Sequence, residues 1–278
     1  MHKGIGPPGR AAKALAATPS GRLGLGLTLC VIGLAALAPL LTSFDPFALS
    51  GNSLTPPSLA HVFGTDALGR DVLSGVLFGA RTSLLVAGAV SLLSFASGLA
   101  VGLAGGFIGG WLDDVLLRMT ELLQVLPRFF LVIVVVALLG PGLDRLVLVL
   151  GLTSWPLLAR VVRGEVLVLR HAEFVLAARA TGATTAELLW RTILPNVLPG
   201  ALVVAGLVFA QTLLLEASLG FLGLGDPNAM SWGLLAGQAQ PFLRVAWWLP
   251  FFPGVAITIA VLGVNLLTDT VSTAASDR

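Results

Sequence analysis

The stretch TSLLVAGAVSLLSFASGLAVGLAGGFIGGWL, residues 82–112, runs from Arg81 to Asp113 without a charged side chain. A helix crosses the hydrocarbon core of a bilayer in about 20 apolar residues, so this run is more than long enough to span one. Three further uncharged runs lie between Arg22 and Asp45, between Arg191 and Glu216, and between Arg244 and Asp269. Composition agrees: of 278 residues, 56% are hydrophobic and 11% charged, with a mean hydropathy of +0.96. A chain this apolar must bury surface against lipid as well as against itself. Its net charge of +2 is too small and too scattered for a nucleic-acid footprint.

Two shorter runs, Phe129 to Leu143 and Leu146 to Ala159, flank Gly140-Pro141-Gly142, where helix continuation is disfavoured. They read either as two spans extended by moderately polar flanks or as a re-entrant hairpin. The two-span reading gives an all-α, polytopic membrane protein with six transmembrane helices: 23–43, then about 82–106, 115–139, 144–162, 197–217 and 247–267. A tail (1–22), a segment at 44–81, a loop at 163–196 and a tail at 272–278 complete the chain. Sidedness follows from Lys and Arg. Those at 3, 10, 13, 22, 118, 160, 163, 170, 179, 191 and 278 share one side, against Arg70, Arg81, Arg145 and Arg244 on the other. The positive-inside tendency places both termini and the 163–196 loop in the cytoplasm, and 44–81 outside. The first span resembles a signal peptide, with Ala36-Leu37-Ala38 as a cleavage site, but its apolar core is long and Pro39 would follow the cut. We read it as a retained anchor.

Catalytic motifs are few. Gly4-Ile5-Gly6-Pro7-Pro8-Gly9 matches the dinucleotide fingerprint literally, yet no strand precedes it and two prolines stand where a helix should open. No phosphate-binding loop ends in Lys-Ser/Thr, so the chain is expected not to hydrolyse ATP by that route. His2, His61 and His171 fall outside the apolar spans and read as solvated loop residues, not as ligands. The lone Cys30 forms no intrachain disulfide and no Cys-based metal site. Neither a catalytic centre nor a metal site is expected.

Polar residues within the spans are the candidates for a pathway. A lipid-facing Arg128 would cost about 2.5–3.5 kcal/mol on insertion scales. It should face protein or water, or snorkel to headgroups. Glu121, two turns earlier on the same helical face, would join it in a polar patch. Glu216 poses the same question near the end of the fifth span. Gly98, Gly102 and Gly106 are spaced by four, which permits close backbone approach within the subunit or across an interface. Trp247 and Trp248 read as interfacial anchors.

The 163–196 loop is the most distinctive segment. Residues 173–182, EFVLAARATG, read as a helix closed by Gly182. Thr184 and Glu187 form a capping box for a second short helix, which carries Leu188, Leu189 and Trp190 ahead of Pro195 and Pro199. Apolar side chains on such a loop need cover, from lipid headgroups or from a partner protein. Ala177-Ala178, Gly182 and Leu194-Pro195 resemble the loop of permeases of binding-protein-dependent ABC importers, with Leu176 where a glutamate is usual and Thr192 where an isoleucine is usual. Phe63-Gly64-Thr65-Asp66-Ala67-Leu68-Gly69-Arg70-Asp71 with Ser74, Gly79, Arg81 and Ser83-Leu84 is similar to the dipeptide, oligopeptide and nickel group of that family. So are residues 216–225, EASLGFLGLG, followed by Ser231-Trp232-Gly233.

The resemblance implies a type I importer permease fold and a C-type subunit paired with a second permease. It also implies two ATPase subunits that bind the ATP and magnesium, an extracytoplasmic binding protein, and a bacterial or archaeal cell membrane. The cargo would be di- or oligopeptides, with nickel or another metal chelate as the alternative. Ala177, Ala178, Gly182, Glu187, Leu188, Leu189, Leu194 and Pro195 would couple the ATPase to the spans. From the residues themselves, a secondary transporter and a membrane enzyme are the competing classes. Paired discontinuous helices would mark the first, and a buried nucleophile with a base the second; neither is evident.

Overall fold

The computed structural model describes residues 15–276; His2, the Gly4–Gly9 run, Lys3, Arg10, Lys13 and Arg278 lie outside that range. The described residues are helical almost throughout. α1 (Pro19–Ala36) starts on Thr18, whose hydroxyl accepts the Gly21 N–H at 3.1 Å, with proline in the first turn. The single turn α2 (Ala38–Leu41) follows. A connection then leads to α3 (Val72–Ile108), α4 (Gly110–Val125), α5 (Arg128–Leu139) and α6 (Leu143–Leu169). Next come α7 (Glu173–Ala180), α8 (Thr185–Glu187), a π-helical turn over Leu188–Ile193, and α9 (Leu194–Phe221). α10 (Trp232–Ala239) and α11 (Trp248–Ser276) complete the fold.

The glycine spacing on α3 finds its counterpart within the chain. A Cβ built on Gly98 would lie 2.9 Å from Leu158 Cβ, one on Gly102 2.7 Å from Val162 Cβ, and one on Gly106 2.8 Å from Val166 Cβ. Both series ascend by four, so α3 and α6 run parallel with their backbones in close approach. Val86, Val90, Leu103, Leu158, Val162 and Val166 extend this seam into the main apolar core, joined by Val132 of α5 and Val197, Ala201 and Val208 of α9.

Parallel packing of α3 and α6 requires the chain to cross back between them, which falls to α4 and α5. These meet at a 76° bend and do not form the straight 115–139 span expected from the sequence. Pro127 is the cause: it has no N–H to donate and holds the preceding Leu126 extended, at φ −79° and ψ 121°. With 1.5 Å per residue the bent pair still reaches about 33 Å end to end, enough for a core about 30 Å thick. Five long apolar helices and this broken pair, counted as one, give six candidate spans. α1 sits at the periphery, antiparallel to α11: Gly24 meets Leu266, and Thr28 meets Gly263. Its other side leaves Leu23, Leu29 and Ile32 exposed, as are Leu92, Leu148 and Leu214 elsewhere, in keeping with a lipid-facing surface.

The connection between α2 and α3 is folded, because its residues pair with one another. Asp66 accepts the N–H groups of Leu68 and Arg70, each at 2.8 Å, around Gly69 at φ 78°. Thr65 bridges to Asp71. Asp71 caps α3 through the Ser74 N–H at 2.8 Å, and its other carboxylate oxygen meets His61 Nδ1 at 2.9 Å. His61 is therefore buried and paired, not solvated as the sequence suggested; a loop closed by non-local bonds removes it from water. His171 does stay exposed, against its own Leu167 carbonyl. The two tryptophans also part company. Trp247 is exposed as an interfacial anchor would be, whereas Trp248 is buried and donates Nε1–H to the Thr65 carbonyl at 3.2 Å.

Candidate functional site

Three regions hold the polar and loop residues that the sequence singles out. The first lies where α3, α9 and α10 meet. Glu216 is 4% exposed and accepts the Ser83 hydroxyl at 3.0 Å. The same Ser83 oxygen accepts the Trp232 backbone N–H at 3.2 Å, and the Trp232 ring donates Nε1–H to the Val76 carbonyl at 2.9 Å. Glycines make this junction possible: a Cβ on Gly233 would come 2.9 Å from Ala217 Cα, and one on Gly79 3.2 Å from the Trp232 ring. The carboxylate of Glu216 is thus enclosed, holding the short helix α10 against two spans. Two stretches distant in sequence, 63–84 and 216–233, converge on one knot of hydrogen bonds.

The second region is the 163–196 loop. Thr184 and Glu187 form the capping box expected: Thr184 Oγ1 accepts the Glu187 N–H at 3.3 Å, and Glu187 accepts the Thr184 N–H at 2.9 Å. That backbone bond, with the Thr184 hydroxyl alongside, holds the exposed Glu187 carboxyl below its ordinary pKa. Gly182 takes φ 91°, which only glycine adopts readily. Ala177 is exposed and Ala178 partly so; Leu194 is half-buried and Pro195 exposed.

The apolar residues of this loop divide differently from the sequence expectation. Leu188 is 2% exposed and Leu189 packs on the main core, so neither is open to a partner. Both lie in the π-helical turn, where Ile193 is buried as well. The open apolar side chains are Trp190, 64% exposed, with Phe174 and Leu176 on α7. Behind the loop, Arg163 grips Asp113 in a two-pronged ion pair at 2.6 and 2.7 Å, joining α6 to α4. Arg170 donates to the Gly106 carbonyl at 3.1 Å, joining α6 to α3.

The third region is an open cleft of ≈ 850 Å³ at the bend between α4 and α5, lined also by residues of α6 and α9. Its polar lining is Gln124, Arg128, Ser154, Gln211, Thr212 and Ser218. Arg128 is half-buried and reaches Ser154 Oγ at 3.4 Å. Glu121 does not share this site. The bend carries it onto a differently directed helix, where it pairs with Arg118 at 3.4 Å on an exposed surface. The shared face expected of Glu121 and Arg128 presumed an unbroken helix. Sequence reading missed Ser154, Gln211 and Thr212; only tertiary packing brings them to Arg128.

A bundle of long apolar helices with a capped loop between two of them suits a membrane component, and comparison with known proteins decides the family. Residues 96–278 match the family described as binding-protein-dependent transport system inner membrane component. The chain belongs to this family. Among named relatives, the dipeptide transport system permease protein DppC of Bacillus subtilis (strain 168) is 37% identical over 252 residues, covering 88% of this chain and 78% of that protein. The oligopeptide transport system permease protein OppC of the same organism is 35% identical over 249 residues, covering 89% and 82%. An inward-facing structure of the MetNI methionine ABC transporter superposes with a TM-score of 0.60 at 20% identity, over 72% of this chain and 96% of that one. At that identity the likeness speaks to the fold, a permease fold of the ABC importer kind. As a binding-protein-dependent inner membrane component, the chain is a multi-pass membrane protein.

Proposed function

We propose that this chain is a translocation-pathway subunit of an ATP-driven importer of di- and oligopeptides, and that it forms one half of a permease pair. The observation that carries the reading is the 163–196 loop: a capped, glycine-hinged knob whose core is tied into α6 and α9 while Trp190, Phe174 and Leu176 stand open. A loop with that much exposed apolar surface calls for a protein partner. An ATPase subunit, binding ATP and magnesium, would supply both the cover and the energy. Leu176, in place of the family's usual glutamate, makes the contact more apolar than polar.

The arginine distribution supports a cytoplasmic position for this loop and both termini, and an extracytoplasmic one for 44–71, where a binding protein would deliver cargo. The 850 Å³ cleft is open, not enclosed by this chain alone. Its half-buried Arg128 is costly against lipid, and a second permease seated there would turn the cleft into part of an enclosed route. Glu216 serves the scaffold of that route.

The test is affinity purification in mild detergent followed by reconstitution. An ATPase and a second permease should accompany the chain, and proteoliposomes given the binding protein should take up dipeptide only with ATP. Purification as a lone, ATP-independent carrier would sink the proposal.

A further inference from the structure

We infer that the cleft at the α4–α5 bend is a binding site for the carboxylate of the solute in transit, with Arg128 as its ligand-holding residue. This rests on the importer reading and names the chemical group that the pathway grips: the free C-terminal carboxylate of a short peptide.

Arg128 is half-buried, unlike the exposed Arg81, Arg160, Arg179, Arg191 and Arg244, and it lacks the partners of four other arginines. Arg163 has both oxygens of Asp113 at 2.6 and 2.7 Å. Arg118 has Glu121 at 3.4 Å, Arg170 has the Gly106 carbonyl at 3.1 Å, and Arg145 closes the α5 C-terminus on the Leu139, Gly140 and Pro141 carbonyls. Arg128 has only a long contact, 3.4 Å, to the neutral Ser154 hydroxyl. Among the described residues no carboxylate pairs with it, and the cleft lining contains no acidic residue. A guanidinium presents a rigid fork of donors that matches a carboxylate two-to-two. Here the fork is aimed into a cleft without its counter-anion.

The surroundings reinforce that sign. Arg128 opens α5, and no side chain caps this helix at Pro127, as is also the case for α4, α6, α7 and α9. The free amides of its first turn add positive potential where the guanidinium already stands. Ser154 and Thr212 place hydroxyls, and Gln124 and Gln211 amides, around the same space, suited to the peptide backbone of a ligand. At ≈ 850 Å³ the cleft falls within the range of small-molecule sites, about 300–1,000 Å³, and admits a whole short peptide.

The experiment uses the assembled complex in nanodiscs without its binding protein, titrated with dialanine and with dialanine amide and followed by saturation-transfer NMR. Wild type should bind dialanine more tightly than the amide. Arg128→Gln should weaken dialanine by about tenfold or more, the scale of a lost charge-assisted bond, and leave the amide unchanged. Arg128→Lys, which keeps the charge without the fork, should fall between. Equal wild-type affinity for the two probes, no measurable dialanine binding, or equal weakening of both by Arg128→Gln would overturn the inference. The wild-type comparison holds even if the variants fail to assemble. ATP-driven dialanine import, measured separately with the binding protein, keeps the two claims apart. Import without carboxylate discrimination removes this inference alone, and discrimination without import removes the importer reading alone.

Discussion

Ser83 donates its hydroxyl hydrogen to the buried carboxylate of Glu216 at 3.0 Å, and the same oxygen receives the N–H that opens α10 at 3.2 Å. One small side chain thus joins two spans and a short helix. Ser83→Ala leaves both partners without it in a buried setting, and a lost partner of that kind costs roughly 1–3 kcal/mol. Thermal unfolding of the purified complex in detergent should shift down accordingly, while Ser97→Ala, on a half-buried hydroxyl bonded only within its own helix, should not shift it.

The α3–α6 seam gives a sharper contrast between glycines of one helix. Gly102→Leu pushes a side chain into Val162 and the Ala159 carbonyl, both 2.7 Å from where its Cβ must sit, whereas Gly88 has nothing within 4 Å. Overpacking costs about 1–3 kcal/mol even where neighbours can shift, and backbone cannot shift cheaply. Gly102→Leu should reduce the folded yield in the membrane severely and Gly88→Ala should not. Equal yields would disprove the close approach.

Pro127 sets the distance across the third span. Spin labels at positions 111 and 138 should report about 33 Å or slightly less in the native chain, as 1.5 Å per residue and the bend require. Pro127→Ala restores a backbone donor and frees Leu126 to become helical, and the label distance should lengthen toward about 40 Å as the pair straightens. Dipeptide uptake should fall with it, because the cleft lies in the angle of the bend.

In the 163–196 loop two apolar positions should behave in opposite ways. Leu188→Ala empties a core site and should destabilise the subunit by about 2–5 kcal/mol. Trp190→Ala should leave thermal stability unchanged and lower binding-protein-stimulated ATP hydrolysis, since that ring is 64% exposed.

Acid should loosen the same loop. Glu187 is held below its ordinary pKa by bonds from Thr184, so its contribution to local order is complete above the unfolded carboxylate range and is lost as pH falls through the lowered folded value. Hydrogen-exchange protection of residues 184–188 should be flat from pH 8 to about pH 5 and fall in more acid solution, starting from an unperturbed glutamate near 4.3. Glu187→Gln should remove that dependence.

What the sequence made legible followed from local rules. Uncharged run length gave the spans, Thr184 and Glu187 gave the capping box, and glycines spaced by four gave a close helix contact, though not the identity of α6 as the partner. The failures came where one local assumption was extended across a break. Glu121 and Arg128 share a face only if Pro127 is ignored. Leu188 and Leu189 read as apolar surface in need of an outside cover, and the chain's own core supplies it. His61 looked solvated because it falls outside the apolar spans, while its burial depends on Asp71 and on bonds closed across 44–71. The cleft around Arg128 was half visible: the charge was evident, and its hydroxyl and amide neighbours come from α6 and α9, which no spacing along one helix reveals.

Without side chains between them at Gly98, Gly102 and Gly106, α3 and α6 have little that can compress or slide. They form a two-ply strut, pinned crosswise by Arg170 at the end that meets the loop and glued to α9 through Ser83 at the other. A torque applied at one end of such a strut arrives at the far end as displacement, with little lost to bending on the way. The α4–α5 pair beside it is already bent by 76° at Pro127, so any load carried along the strut bears on a broken element and not on a second straight one.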